Sequence, residues 1–291
     1  MRRLLPTSLI LLLAAAGSTS AQWKPAEGRL MTQWSSQVQP DTAWKEYPRP
    51  QLVREDWANL NGLWDYAIVG RDAAKPAAWD GQILVPFCAE SALSGVMKAV
   101  GTDKALWYRR TFTVPEGWAG RHVLLNFGAV DWEASVTLNG EPVGAHRGGY
   151  DPFSFDITPF LKAGDNELIV RVWDPTDQGF QPRGKQVNKP EGIWYTAVTG
   201  IWQTVWLEPV AEDHIRALRI VPQLDRSAFA VTVHGSEEGA IQVEAREGDK
   251  VVGKAHGRTG RPISVTVTEP KAWSPDSPFL YDLTVTMLRD G

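Results

Sequence analysis

FGAVDWEASVTLNGEPVGAHRGGYDPFSFDITPFL, residues 127–161, is the stretch whose reading decides the fold. Val130, Trp132, Ala134, Val136 and Leu138 alternate with Asp131, Glu133, Ser135, Thr137 and Asn139. A period of two gives a strand with one apolar and one polar face. Asn139-Gly140 then supplies a tight turn, because both residues tolerate positive φ. The expected strand packs on a core and carries carboxylates and amides on its other side.

Similar runs recur on both sides. WDYAIV (64–69), QILVPF (82–87), LWYRRTFTV (106–114), HVLLNF (122–127), ELIVRVW (167–173) and IWQTVWLE (201–208) are short, apolar or alternating, and separated by turn signals. The one short helix expected is at Thr158–Leu161, with Thr158 as its cap and Pro159 in its first turn. Many short strands with little helix give an all-β chain, here a jelly-roll β-sandwich. HIRALRIVPQL (214–224), AFAVTVHG (228–235), AIQVEARE (240–247), KVVGKAHG (250–257), PISVTVTE (262–269) and FLYDLTVTML (279–288) form a second, regularly spaced set. Six strands in so short a span predict an immunoglobulin-like β-sandwich.

Thirteen of the fourteen Trp residues lie between Trp23 and Trp206, so composition changes near residue 210. The junction is expected in Glu208–Asp213, with Pro209 ending a strand and the acidic pair Glu212-Asp213 solvated. The expected divisions are a signal peptide over 1–21, an extended, proline-containing lead-in over 22–50, the jelly roll over 51–210 and the immunoglobulin-like unit over 211–291. Arg2 and Arg3 precede the apolar run Leu9–Ala16, and small residues lead to Ala21. That run is shorter than the ~20 residues that span a bilayer. The reading is therefore an exported protein, periplasmic or secreted, with no membrane association after cleavage. Arg289-Asp290-Gly291 signals a hairpin without a return strand, and the expectation is that the second unit is truncated there.

The net charge of -4 is scattered, which argues against nucleic acid as a partner. Cys88 is the one cysteine, and the five histidines have no i, i+4 pairing, so no metal site or other cofactor is expected. No G-x-S-x-G elbow is present. Asp131 and Glu133 lie two residues apart on one strand face, a separation in reach of a glycosidase carboxyl pair, but ordinary solvent-facing alternation has the same geometry. Sugars offer C–H faces that stack on indoles and hydroxyls that bond to carboxylates, amides and guanidinium groups. Material of that kind is concentrated at Trp132, in the loop Asp174–Gln186 with Arg183, Lys185 and Gln186, and at Trp194-Tyr195. Trp173, Trp202 and Trp206 fall inside strand runs and read as packing residues.

Five strings in order resemble glycoside hydrolase family 2, the family of β-galactosidases, β-glucuronidases and β-mannosidases. They are ALWYRRTFTVP (105–115), FGAVDWEASVTLNG (127–140), HRGGYDPFSFDIT (146–158), GIWYTAVTGIWQTVWLEP (192–209) and AWSPDSPFLYDL (272–283). The resemblance implies a jelly-roll sugar-binding domain, an immunoglobulin-like domain and then a (β/α)8 barrel that carries two catalytic glutamates. None of that barrel is in this chain, so no residue here is assigned a catalytic role. The resemblance places Asp131 at the position from which the family's N-terminal domain reaches the substrate subsite, though it is Asp where those members have Asn. It offers Glu191 as an equivalent of an acidic loop residue, with altered spacing. The substrate-binding candidates are then Asp131, Trp132, Arg183 and Glu191. The functional expectation is the non-catalytic N-terminal portion of an exported retaining β-glycosidase, its partners being a carbohydrate substrate and, for the full-length enzyme, further copies of itself. A free-standing carbohydrate-binding protein and a ligand-free structural sandwich pair are the alternatives.

Overall fold

In the computed structural model, residues 23–28 and 30–289 are described; the expected signal peptide and the Asp290-Gly291 turn lie outside them. The described chain is built from strands, with 3-10 turns as its helical elements. No helix among the described residues is long and apolar enough to cross a membrane.

The first sandwich faces a six-stranded sheet against a four-stranded one. The larger has the spatial order Gly81–Val85, Gly62–Gly70, Lys104–Phe112, Asn166–Trp173, Glu133–Leu138 and Glu141–Arg147. The smaller has the order Ala58-Asn59, Val205–Val210, His122–Phe127 and Phe153–Asp156. All neighbours in both sheets run antiparallel. Alternation directs Trp64, Leu106, Tyr108, Val136, Leu138, Val170 and Val172 of one sheet, and Val123, Leu125, Phe127, Val205 and Leu207 of the other, into one core. Trp64 and Tyr108 meet edge to face, with ring centroids 6.2 Å apart. This is the jelly-roll sandwich expected.

The Asn139-Gly140 turn is as expected. Leu138 pairs with Glu141, and φ is 54° at Asn139 and 90° at Gly140. The Asn139 amide also ties the turn to Phe160 O and Asn166 Oδ1, each at 2.8 Å. The strand before it departs from expectation. Val130-Asp131 is separate from Glu133–Leu138 and pairs with Gly200-Ile201 instead, and the Asp131–Trp132 peptide is cis. Glu133 belongs to the six-stranded sheet, where it bonds to Arg147 Nε at 2.7 Å. Asp131 and Glu133 are thus not paired carboxylates on one polar face. The alternation is a strand signal only from Glu133 onward.

Two further expectations are corrected. The helical turn spans Thr158–Phe160, but Thr158 does not cap it; Asp156 Oδ1 accepts the Thr158 N–H at 2.9 Å. Pro209 does not end its strand, which continues to Val210. Its missing N–H is harmless because the neighbouring Ala58-Asn59 strand covers only Leu207 and Trp206 on that side.

The second sandwich pairs the sheet Ile215–Gln223, Ala228–Gly235, Pro262–Thr266 with the sheet Lys250–Arg258, Ala240–Glu247, Asp282–Leu288. Its own core contains Val231, Val233, Ile241, Val243, Ile263 and Val265. This is the immunoglobulin-like architecture read from the six runs.

A buried ion cluster connects the lead-in to both sandwiches. Glu208 is fully buried. It accepts hydrogen bonds from Tyr47 Oη at 2.5 Å, Arg54 Nε at 3.0 Å, Trp206 Nε1 at 2.7 Å and also from Arg49. Arg54 Nη2 reaches on to Ile215 O of the second sandwich at 2.7 Å. Removing one partner of a buried pair leaves the rest uncompensated. Glu208→Ala should cost about 3–5 kcal/mol in urea denaturation at neutral pH; a loss below about 1 kcal/mol would show that the cluster does not hold the lead-in.

Candidate functional site

Where Val130-Asp131 pairs with Gly200-Ile201, the chain brings together groups from five segments. Gly200 is directly opposite Asp131 and has a φ of 103°. A side chain there would collide with the Tyr108 hydroxyl, which accepts the Ile201 N–H at 3.1 Å. Gly149 is needed for a different reason. A Cβ on it would lie 2.6 Å from Asp131 Oδ1, so the Gly148-Gly149 backbone lies directly against the carboxylate. Trp202 Nε1 holds that backbone through Gly149 O at 2.7 Å, and Gly148 N donates to Trp132 O at 3.2 Å.

The loop between Trp173 and Thr199 folds back over this floor. Gln186-Val187 pairs in parallel with Tyr195-Thr196. Gln186 Oε1 accepts the Val198 N–H at 2.8 Å, and its side chain lies near enough to Asp131 to favour the ionised carboxylate. Tyr150 interacts with Gln186 and makes an edge contact with Trp202 at 6.1 Å. Asp131 itself is only 5% exposed, whereas Tyr150 is 44% exposed and Trp132 and Trp202 are half-buried. A buried carboxylate is therefore rimmed by aromatic and amide groups.

Two more carboxylates lie behind it, joined through Thr199. Asp174 Oδ2 accepts from Thr199 Oγ1 at 3.0 Å and Thr176 Oγ1 at 2.9 Å, and its Oδ1 accepts the Thr176 N–H at 2.6 Å. Glu90 Oε2 accepts the Thr199 N–H at 2.9 Å, while its Oε1 is buried with no hydrogen-bond partner. Ala89 N donates to Thr199 O at 3.2 Å, completing a two-sided grip on that residue.

Electrostatics separates these acids from Glu208. Burial pushes Asp131 up to about 7; the Asp174 charge adds to this, and the Gln186 hydrogen bond opposes it. Burial likewise pushes Glu90 up to about 7 against the Thr199 hydrogen bonds. Burial also raises Asp174, opposed by Thr176 and Thr199. For Glu208, burial acts in the same direction, but hydrogen bonds from Tyr47, Trp206 and Arg49 outweigh it and hold the group below its ordinary value. Burial pushes the Cys88 thiol, beside Glu90, up to about 12. Among the described residues no group of three His, Cys, Asp or Glu is placed to hold a metal ion.

The four sequence candidates are distributed unevenly. Asp131 forms the floor and Trp132 its near edge, where Trp132 makes an edge contact with Trp173 at 6.2 Å and has the Arg147 guanidinium 6.0 Å from its ring. Arg183 is on the covering loop, over the Trp194 ring at 5.7 Å. Glu191 is exposed on the same loop, and its carbonyl accepts the Trp194 N–H at 3.0 Å. Trp206 is a core residue as expected, but Trp202 lies on the rim rather than in the core. Sequence reasoning missed Glu90, Thr199 and Tyr150, and it singled out the loop Asp174–Gln186 without giving Asp174 a role. Asp174-Pro-Thr176 carried an Asx-turn signal, but nothing in PFCAES (86–91) marked Glu90. Two clefts lie elsewhere, one of about 490 Å³ beside Phe229, Trp273 and Tyr281, the other of about 550 Å³ beside Asp213, Arg258 and Met287.

Residues 95–208 match the model of the glycosyl hydrolases family 2 sugar binding domain, and residues 214–291 match that of glycosyl hydrolases family 2. The chain belongs to glycosyl hydrolase family 2. Among family 2 relatives, it is 31% identical over 200 residues to a beta-galactosidase of Thermoanaerobacter pseudethanolicus, covering 64% of this chain and 26% of that protein. It is 28% identical over 267 residues to a beta-galactosidase of Bacteroides ovatus, covering 83% of this chain and 28% of the relative. The solved beta-glucuronidase of Lactobacillus rhamnosus superposes with a TM-score of 0.65 at 22% identity, over 84% of this chain and 43% of that one, a likeness of fold. The chain spans about a quarter of the length of the first curated relatives.

The raised carboxyls make stability depend on pH with a definite sign. Asp131 and Glu90 bind protons more tightly when folded than when unfolded, so their contribution is complete below the ordinary carboxylate range and is lost as pH rises through about 7. Urea denaturation should show stability falling by about 1 kcal/mol or more between about pH 5.5 and about pH 8.5. A flat or rising profile over that interval would contradict the placement of these groups.

Proposed function

We propose that this chain is the non-catalytic carbohydrate-recognising part of an exported β-glycosidase, and that Asp131 contacts the sugar. The observation that carries the reading is the position of Asp131. It is buried against Gly149 beside Gln186, next to the half-buried Trp132 and Trp202 and the exposed Tyr150. A carboxyl group on the floor and aromatic rings on the rim are what a pyranose needs, since its hydroxyls bond to the first and its C–H faces pack on the second. Family membership and the position of Asp131 within GAVDWEA support the same assignment.

The names of the relatives, beta-galactosidases and beta-glucuronidases, support a β-glycoside as the substrate class. Their greater length supports a catalytic barrel with the acid/base and nucleophile carboxyls outside these residues, which contribute one wall of the substrate site. Arg183 and Glu191, on the covering loop, are assigned to the outer part of that wall. The Arg2-Arg3 segment and the following apolar run support export.

The pure 291-residue chain should not hydrolyse nitrophenyl β-glycosides; turnover by it would overturn the non-catalytic assignment. In the longer polypeptide that includes the barrel, Asp131→Ala should lower kcat/KM about 10- to 100-fold, the loss of one or two hydrogen bonds to a charged or polar partner. Unchanged kcat/KM would remove Asp131 from the substrate site.

A further inference from the structure

Glu90 has no role in sugar contact as described, yet it carries the least expected feature of this region. It is 6% exposed, one of its oxygens is bonded to the Thr199 N–H and the other has no partner. An unpartnered carboxylate oxygen at such depth is costly when charged. Three connections lead from it to Asp131. Thr199, held by Glu90 through its N–H and by Ala89 through its carbonyl, directly precedes Gly200, the residue paired with Asp131. Thr199 Oγ1 bonds to Asp174, whose charge acts on both Asp131 and Glu90. The Glu90 charge also acts directly on Asp131.

We propose that Glu90 is a positioning residue for Asp131: it fixes the Thr199-Gly200 segment against which Asp131 is aligned, and with Asp131 and Asp174 it forms a buried carboxyl cluster joined through Thr199. Protonation follows from the surroundings of the cluster. Asp131 is faced by Asp174, Glu90, Gln186 and Tyr150. Glu90 is faced by Asp174 and Thr199, with Cys88 and Tyr108 beside it. The charges that act on either group are carboxylates, so a proton is the available counter-charge. Below about pH 7, Asp131 then holds an O–H and can donate to a sugar oxygen. Above it, Asp131 becomes an acceptor facing two like charges. The charges of Asp174 and Glu90 act on Asp131, so the switch belongs to the cluster rather than to one residue. Ligand recognition becomes pH-dependent through Glu90, which itself makes no sugar contact.

The inference rests on Asp131 facing ligand, and the test separates the two claims. Thermal midpoints of the full 291-residue chain are measured from about pH 5.5 to about pH 8.5 for the wild type, Glu90→Gln, Asp131→Asn and Glu90→Ala. Glu90→Gln keeps an acceptor for Thr199 and cannot ionise. It should match the wild type at the acid end, exceed it by a few degrees at the alkaline end and show a shallower fall. Glu90→Ala should be lower throughout, because Thr199 loses its partner. In the longer polypeptide, Glu90→Gln should shift the alkaline limb of kcat/KM and leave its acid-side value within about twofold. Parallel wild-type and Glu90→Gln profiles in both measurements would overturn the positioning role. If the profiles diverge as expected while Asp131→Ala leaves kcat/KM intact, the proton set stands and the sugar contact fails.

Discussion

A carboxylate withdrawn from water needs a compensating charge, and this chain resolves that constraint in two opposite ways. Glu208 is compensated by Arg49 and Arg54, with Tyr47 and Trp206 as further donors, and stays ionised. Glu90, Asp131 and Asp174 are buried among one another with hydroxyl, amide and backbone donors, and are driven toward the protonated form. The first arrangement is structural. It clamps the lead-in to the last strand of the jelly roll and, through Arg54, to the second sandwich. The second arrangement gathers raised carboxyls at one edge of the same sandwich, beside the half-buried Trp132 and Trp202 and the exposed Tyr150.

The acidic region also depends on close backbone approach. Gly149 lets the segment after the Glu141–Arg147 strand press on Asp131, and Gly200 lets the paired strand pass the Tyr108 hydroxyl. Tyr108 is a core residue of the central sheet and also accepts the Ile201 N–H. The floor of the site is therefore an extension of the core rather than a surface patch. A group so placed can remain desolvated while its neighbours on the rim stay open to solvent, and this combination lets burial act on Asp131 at a position next to an accessible face.

Much of the architecture was legible in residue order, because period-two alternation and turn chemistry are local. Gly62–Gly70, His122–Phe127 and the six strands from Ile215 onward follow directly from their patterns, as does the Asn139-Gly140 hairpin. The site was legible only in outline. Asp131 stood out through the resemblance of GAVDWEA, and its alternation with Glu133 suggested one shared face. That suggestion failed because Asp131 pairs with Gly200, some seventy residues away, and no local period encodes such a partner. Glu90 was invisible for the same reason, and Asp174 was read only as the start of the loop Asp174–Gln186. Each becomes significant only when Thr199 bonds to both. Trp202 looked like a core residue because indole rings in strands usually are, yet its N–H holds Gly149 at the rim.

Carbon-13 detected titration of the side-chain carboxyl groups distinguishes the two kinds of buried acid in one experiment. Asp131 and Glu90 should show coupled transitions near pH 7, while Glu208 in the same molecule remains ionised below its ordinary value of 4.5. Transitions of Asp131 and Glu90 in the ordinary carboxylate range, alongside that of Glu208, would contradict a proton-holding site.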